Sequence, residues 1–208
     1  MTAQSPDIFL LNRVKHELSA IENINSFLDI YSLGFEPEAV TTACWRGYIA
    51  TYSIYRNRLV LKKLETNNGN KKDFIPPLLN SKEPIVICPY GDNEEYNSWK
   101  DYIYNNVNLF INYTGSILIT KDFIWKFYVH MGFQNPISYN IVKELTFEEG
   151  YLLATNDLSD IASLLRKDKI INAKNEMKER NLLKWIYECF DISYENKAEL
   201  FKKYDKLR

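Results

Sequence analysis

Two runs of alternating residues, joined by a two-residue turn, constrain the fold of this chain more than any other feature. In TTACWRGYIATYSIYRNRLVLKKL, residues 41 to 64, the side chains alternate between two sides with the period of a strand. Arg56 and Asn57 separate the runs, and a two-residue spacing that contains Asn is typical of a tight hairpin turn. The segment therefore predicts a strand over 42 to 55, a turn and a second strand.

The same pattern returns in the second half of the chain. Five apolar residues alternate around Gly115 and predict a further strand: Leu109, Ile111, Tyr113, Ile117 and Ile119. A glycine inside a strand marks a bend, a bulge or a close approach of another group. The segment KELTFEEGYLLAT, residues 143 to 155, predicts another hairpin that turns at residues 148 to 150. Repeated hairpins indicate a mainly antiparallel β protein.

Near residue 157 the apolar period changes from two to about three and a half, which predicts helices to the end of the chain. Asp157 is the expected N-cap of the first helix, and Ser193 begins a second, shorter one. Because the apolar stripe of this tail is rich, we expect it to pack on the β domain through Leu165, Leu182, Trp185, Ile186 and Phe190.

The predicted fold class is α+β, with a mainly antiparallel β domain over residues 1 to 156 and a helical tail over residues 157 to 208. Residues 65 to 105 read as an irregular insertion, since they are rich in Asn, Lys and Pro, although IVIC at 85 to 88 predicts a short strand. Both faces of the second strand of the first hairpin are partly apolar, so the sheet is either covered on both sides or barrel-like.

The N-terminal segment DIFLLNRVKHEL has two interpretations. It is either a helix, with Ile8, Leu11 and Leu18 on one side, or a hairpin that folds at Asn12 and Arg13. The periodicity alone does not decide between them.

Charge and composition exclude several classes of function. The net charge is −1, from 26 basic and 27 acidic side chains, which argues against long nucleic-acid polymers as partners. The first residues lack the charged and apolar regions of a signal peptide, and no apolar run is long enough for a membrane span. We therefore expect a soluble, cytoplasmic protein with no membrane contact.

The sequence does not predict an enzyme, a cofactor or a metal site. It contains no G-x-S-x-G, H-E-x-x-H, Walker or dinucleotide-binding motif, and two histidines are too few for a His-rich metal centre. The cysteines Cys44, Cys88 and Cys189 lie far apart and are expected to be reduced and apolar in role. A nucleophilic Cys44 would need His16 or His130 beside it, and no catalytic residue is assigned.

Two polar-aromatic clusters are the candidate binding residues. The first consists of Trp45, Arg46 and Tyr48, and the second contains Tyr128 and His130. If their strands are neighbours, these side chains would converge on an anion or a base ring, because guanidinium groups donate in a planar fork and aromatic faces stack.

The alternative for Arg46 is structural. If residues 42 to 55 form a strand, Arg46 lies on the same side as Cys44 and Tyr48, and Gly47 lets a neighbouring backbone or ligand approach closely. A partly buried guanidinium requires an anionic partner. We expect that partner to be an internal carboxylate from the 144 to 149 hairpin, such as Glu144 or Glu148, which would make Arg46 a clamp.

Three motifs, WRGYIATYSI, YTGSILI and YVHMGF, occur in this order along the chain. In this respect the chain resembles, over residues 7 to 153, a group of uncharacterised bacterial proteins for which no activity is established. The resemblance implies an N-terminal strand pair before NINSFL, residues 23 to 28, and thus favours the hairpin.

The predicted function is that of a non-enzymatic bacterial interaction protein that binds a protein partner or a second copy of itself. Many Tyr, Trp and Phe residues on a β scaffold suit a protein interface. An immunity or defence-associated role is suggested only by analogy with other small bacterial proteins of this kind. The alternative is a small-ligand or nucleotide-binding module that uses Arg46, Tyr48, Tyr128 and His130.

Overall fold

The computed structural model describes residues 2–39, 41–67, 85–86, 102–173 and 192. These residues form ten strands and one α-helix, with three short 3-10 helices at Ile24–Ser26, Trp125–Phe127 and Pro136–Ser138. The strands are β1 (Ile8–Leu11), β2 (Val14–Ile21), β3 (Tyr48–Tyr55), β4 (Arg58–Thr66), β5 (Ile85–Val86), β6 (Tyr102–Tyr104), β7 (Leu109–Phe110), β8 (Gly115–Phe123), β9 (Tyr139–Glu148) and β10 (Tyr151–Asp157), and the helix is α1 (Ser159–Ala173).

All ten strands belong to one sheet with the order β10-β9-β8-β2-β1-β3-β4-β6-β5, and β7 pairs with β4. Every pair is antiparallel except β1 and β3, which run parallel with Phe9 opposite Tyr52. The sheet is therefore mixed but mostly antiparallel, followed by a helix, and this confirms the predicted class at that level.

Turn chemistry explains the three hairpins. At the tips, Asn12 and Arg13, then Arg56 and Asn57, have positive φ angles between 49° and 66°, as a two-residue hairpin turn requires. Glu149 and Gly150 form the third tip, with φ angles of 48° and 81°. The hairpins predicted at these positions are confirmed, and so is the strand interpretation of the N-terminal segment.

The sheet curls so that its edge strand β10 meets β4 at one point. Tyr151 in β10 pairs with Arg58 in β4, and backbone hydrogen bonds on either side join Leu59 to Gly150 and Leu152 to Asn57. A single residue pair makes this contact between β10 and β4, so the sheet is curled.

The concave side of the curled sheet holds the larger apolar core. Its most buried side chains come from β1, β2, β3, β4, β8 and β9 and from the loops between them, and they include Phe9, Leu18, Phe35, Tyr52, Leu61, Tyr113, Ile119 and Phe147. Phe27 touches Tyr52 and Tyr113 edge to face, with ring centroids 5.0 and 4.9 Å apart. The alternating apolar residues of β3 and β4, such as Tyr52 and Leu61, are therefore the ones that face this core.

The strand predicted around Gly115 is interrupted. β7 ends at Phe110 and β8 begins at Gly115, while Ile111 and Tyr113 between them still point into the core. The Tyr113 hydroxyl approaches the backbone of Gly115 so closely that a Cβ at position 115 would lie 2.6 Å from it. The close approach expected at this glycine is thus present, whereas a continuous strand from 109 to 119 was wrong.

Helix α1 packs on the outer face of the sheet, where Ile161, Ala162 and Leu165 meet Leu118 and Val142. Its start is capped, because the Asp157 carboxylate accepts the backbone N–H of Ser159 at 3.0 Å. Leu165 is buried as predicted. The predicted contacts of Leu182, Trp185, Ile186 and Phe190, the helix expected from Ser193 and most of the 65 to 105 insertion lie outside the described residues.

Strands nevertheless occur at both ends of that insertion and near its middle, where β5 lies within the short strand predicted at 85 to 88. β4 continues to Thr66 and pairs with β6, and β5 at Ile85–Val86 pairs with β6 from the other side. None of the described helices is both long enough and apolar enough to cross a bilayer.

Candidate functional site

Arg46 lies in a turn, not in a strand. The N–H of Cys44 donates to the carbonyl of Thr41, and the N–H of Gly47 donates to the carbonyl of Cys44, so two consecutive turns precede β3. Gly47 has a φ of 71°, and a Cβ there would lie 2.5 Å from the carbonyl oxygen of Glu38. The predicted strand over residues 42 to 47 was therefore wrong. The backbone N–H groups of Cys44 and Gly47 bond carbonyls within the turns, whereas the alternating pattern had predicted bonds to a neighbouring strand.

The turn presents the Arg46 guanidinium to Asp7. Arg46 Nη1 donates to Asp7 Oδ2 at 2.9 Å and Nη2 donates to Oδ1 at 3.0 Å, a two-point pair. The backbone N–H of Ala50 donates to the same Oδ1 at 2.8 Å. The Asp7 side chain is 2% exposed and that of Arg46 is 25% exposed. An internal carboxylate partner was expected, but its assignment to the 144 to 149 hairpin was wrong.

The position of Asp7 follows from the sheet. Residue 7 immediately precedes β1, and β1 runs parallel to β3, which begins two residues after Arg46. The beginnings of both strands therefore lie at the same edge, where the carboxylate reaches the turn. Parallel pairing of strands 40 residues apart leaves no local signal in the sequence.

Aromatic rings enclose the pair. The Arg46 guanidinium carbon lies 4.9 Å from the ring centroid of Tyr48 and 5.3 Å from that of Phe133. Burial and the negative charge of Asp7 raise the pKa of Tyr48 to about 12, so its hydroxyl remains protonated at neutral pH. Burial also raises the pKa of the Cys44 thiol, which donates to the carbonyl of Tyr48 at 3.2 Å. This chemistry is that of a buried structural cluster.

The N-terminal segment joins the two predicted clusters. Gln4 spans the gap, because its N–H donates to the carbonyl of Gly132 at 2.8 Å and its side-chain oxygen accepts the N–H of Trp45 at 2.9 Å. Ser5 adds a backbone bond to Ala43 at 2.7 Å. The loops that carry Trp45 and His130 therefore lie on either side of residues 3 to 5.

Tyr128 and His130 are exposed and contact each other, with 3.3 Å between the phenol oxygen and Nδ1. Neither makes a hydrogen bond, ion pair or ring contact with Arg46 in the described part of the chain. The two candidate clusters, one around Arg46 and one around Tyr128, therefore lie near the same N-terminal segment. Their side chains do not converge on one ligand-binding position. Trp45, next to Arg46 in the turn, is 56% exposed.

Tyr128 belongs to a larger aromatic group that sequence reasoning missed. Its ring lies 6.0 Å from that of Trp125 and 6.3 Å from that of Phe123, and Phe123 also touches Trp125 at 5.5 Å. Trp125 is 78% exposed, the largest value among the exposed large hydrophobic side chains described. We name Phe123, Trp125, Tyr128 and His130 the aromatic surface. The signal was the dense aromatic run in FIWKFY, residues 123 to 128.

A cleft of about 300 Å³ opens beside the aromatic surface. The cleft is lined by the N-terminal segment, by three rings of the aromatic surface (Phe123, Trp125 and Tyr128) and by β2, and we call the rings its walls and β2 its floor. Its lining residues are Ala3, Gln4, Ser5, Pro6, Glu17, Leu18, Ser19, Phe123, Trp125, Tyr128, Phe133, Gln134 and Tyr139. Arg46 contacts two residues of the cleft lining, because its guanidinium lies over the Phe133 ring and donates to the Ser5 carbonyl at 3.4 Å. The Arg46–Asp7 pair therefore helps to hold these two residues in place.

The floor of the cleft carries a carboxylate that no sequence motif indicated. Glu17 is half-buried and accepts a short hydrogen bond from the hydroxyl of Tyr139. Beneath it, the buried Ser19 and Thr120 hydroxyls bond each other across β2 and β8. Alternation along β2 places Glu17 opposite Thr120, on the outer face.

Neither histidine bonds the Cys44 thiol in the described part of the chain. Cys44 bonds a backbone carbonyl, and His16 is buried with Nδ1 3.0 Å from the Val14 carbonyl. No three His, Cys, Asp or Glu side chains within this part of the chain are grouped as metal ligands. The arrangement consists of aromatic walls, a carboxylate and an exposed tryptophan.

Comparison with known proteins adds no relative. No protein-family model, no curated protein and no solved structure matches this chain. Function is therefore inferred from the geometry of the cleft and of the aromatic surface.

Proposed function

We propose that this chain is a cytoplasmic, non-enzymatic interaction protein that binds another protein at the aromatic surface. The observation that carries the proposal is Trp125, which is 78% exposed yet held against Phe123 and Tyr128. Exposed tryptophan and tyrosine that are already ordered lose little conformational entropy on binding, and such residues supply much of the energy of protein interfaces.

The surroundings of Trp125 support a protein partner because they mix charges. Lys126 and Lys167 are exposed beside a second cavity, of about 340 Å³, on the other side of the Trp125–Phe127 segment. The Glu17 carboxylate lies in the first cleft. An aromatic centre with basic groups beside it and a carboxylate in the adjoining cleft suits a protein interface, in which polar groups surround aromatic residues.

The form of this function that we propose is occlusion of a partner, as immunity or defence-associated proteins act. Occlusion requires a complementary surface and no catalytic group. The choice of this role over other protein-binding roles rests on analogy with small bacterial proteins of similar size.

The test is photo-crosslinking in the cell that produces the protein. A benzophenone amino acid replaces Trp125. The matched control carries the same amino acid in place of Tyr55, which is 50% exposed at the C-terminal end of β3. We expect one discrete heavier adduct from position 125 and none of that mass from position 55. No adduct at 125, equal adducts at both positions, or an adduct that contains only a second copy of this chain would contradict the proposal.

A further inference from the structure

Glu17 is the unusual member of the cleft. One carboxylate oxygen accepts from the Tyr139 hydroxyl, and no Lys, Arg or His nitrogen of the described residues lies within ion-pair distance of either oxygen. A half-buried carboxylate is costly to desolvate unless a donor or a cation meets it. The second oxygen of Glu17 is therefore available to a ligand in the cleft.

Tyr139 is the donor in this pair and Glu17 is the acceptor. Burial, the negative charge of Glu17 and the hydrogen bond between them all raise the pKa of Tyr139 far above its usual value. The phenol thus keeps its proton and remains the donor. Because Tyr139 also packs on Phe123, with ring centroids 5.1 Å apart, the Glu17 side chain is fixed relative to the aromatic wall.

The walls favour the same type of ligand as the floor. Phe123, Trp125, Tyr128, Phe133 and Tyr139 contribute rings to the cleft lining. Aromatic faces attract cations through the ring quadrupole, and a carboxylate repels anions. A neutral apolar ligand would remove water from Glu17 without replacing its hydrogen bonds.

We infer that the cleft is a recognition site for an organic cation with N–H donors, a guanidinium or a primary ammonium group, with Glu17 as its counter-ion. The volume of about 300 Å³ suits a group of the size of an arginine side chain. The inference goes beyond the proposed function, because the cation is either part of a small molecule or a basic side chain of a protein partner.

The test uses two probes that differ in charge and little in shape. Acetyl-arginine methylamide carries the guanidinium, and acetyl-citrulline methylamide replaces it with a neutral urea. Binding is followed by the NMR shift of the Trp125 indole N–H, which is assigned by its loss in Trp125→Phe. We expect the arginine probe to shift this resonance and to bind at least about tenfold more tightly than the citrulline probe, since charge-assisted hydrogen bonds are roughly twice as strong as neutral ones.

The variant Glu17→Gln keeps the size of the side chain and an acceptor for Tyr139, and it should lose at least about tenfold in affinity for the arginine probe. Glu148→Gln makes the same change of charge at an exposed position outside the cleft and should bind as the original protein does. Equal affinity for both probes, no shift of the Trp125 resonance, or unchanged binding by Glu17→Gln would overturn the inference. If Glu17→Gln does not fold, the comparison of the two probes on the unaltered chain decides.

Competition separates the two sources of the cation. If saturating arginine probe suppresses the cross-link from position 125, a partner protein supplies the basic group. If the probe binds and the cross-link persists, the cleft serves a small molecule. Failure of the cross-link alone would contradict the proposed function and would leave the probe result intact.

Discussion

Replacement of Arg46 by Met should destabilise the protein by about 3–5 kcal/mol, because it leaves the buried Asp7 carboxylate without its counter-ion. The magnitude follows from the geometry. The Asp7 side chain is 2% exposed and receives two hydrogen bonds from Arg46, so after the substitution the N–H of Ala50 is the one donor left to it among the described residues. Arg46→Lys should cost less, since a single ammonium still supplies charge but cannot form both bonds.

The double variant Asp7→Leu/Arg46→Met shows whether the buried charge is the cause. It removes both charged groups, so it should be more stable than Arg46→Met alone. Recovery should be incomplete, because the Ala50 N–H loses its acceptor, at a cost of about 1–3 kcal/mol. The assay is urea unfolding at 25 °C with the free energy of unfolding extrapolated to water. A loss below about 1 kcal/mol for Arg46→Met, the range of a surface ion pair, would show that the Arg46–Asp7 pair does not stabilise the fold as a buried pair does.

Three further predictions concern other parts of the molecule. Burial lowers the pKa of His16, so the unfolded chain binds more protons and stability should fall as the pH drops below the ordinary value of 6.5. His16→Asn should flatten this slope in urea unfolding between pH 7 and 5, and an unchanged slope would contradict it. Gly47→Ala should lower the unfolding free energy by more than about 1–2 kcal/mol, which is the cost of placing an alanine in the left-handed region. The loss should exceed that cost because the new Cβ would also lie 2.5 Å from the carbonyl oxygen of Glu38. A smaller loss would contradict this turn geometry. Trp125→Ala should change stability by less than about 0.5 kcal/mol, while Phe147→Ala, in the core, should cost about 3–5 kcal/mol; a large loss for Trp125→Ala would give it a structural role.

The features that the sequence predicted well are those set by neighbouring residues. Asn12–Arg13 and Arg56–Asn57 can adopt the positive φ angles of a two-residue turn, and alternation on both sides fixes the register of each hairpin. The change of period at Asp157 marks the start of α1 because a helix and a strand bury side chains with different spacing.

The features that it did not predict depend on long-range pairing. Asp7 meets Arg46 only because β1 runs parallel to β3, and nothing near either residue encodes that pairing. Glu17 and Tyr139 come together across 122 residues, through β2, β8 and β9. The alternation in residues 42 to 47 did not indicate a strand, because local backbone hydrogen bonds form turns there and turns can also carry alternating apolar residues.

We propose that Arg46 supports the fold whereas Trp125 binds the partner. The most direct measurement compares Arg46→Met and Trp125→Ala for unfolding free energy and for affinity toward the protein cross-linked at position 125. We predict that Arg46→Met loses stability and loses binding only in proportion to unfolding, and that Trp125→Ala keeps its stability and loses binding. An Arg46→Met protein that folds normally but does not bind, beside a Trp125→Ala protein that binds normally, would contradict the account.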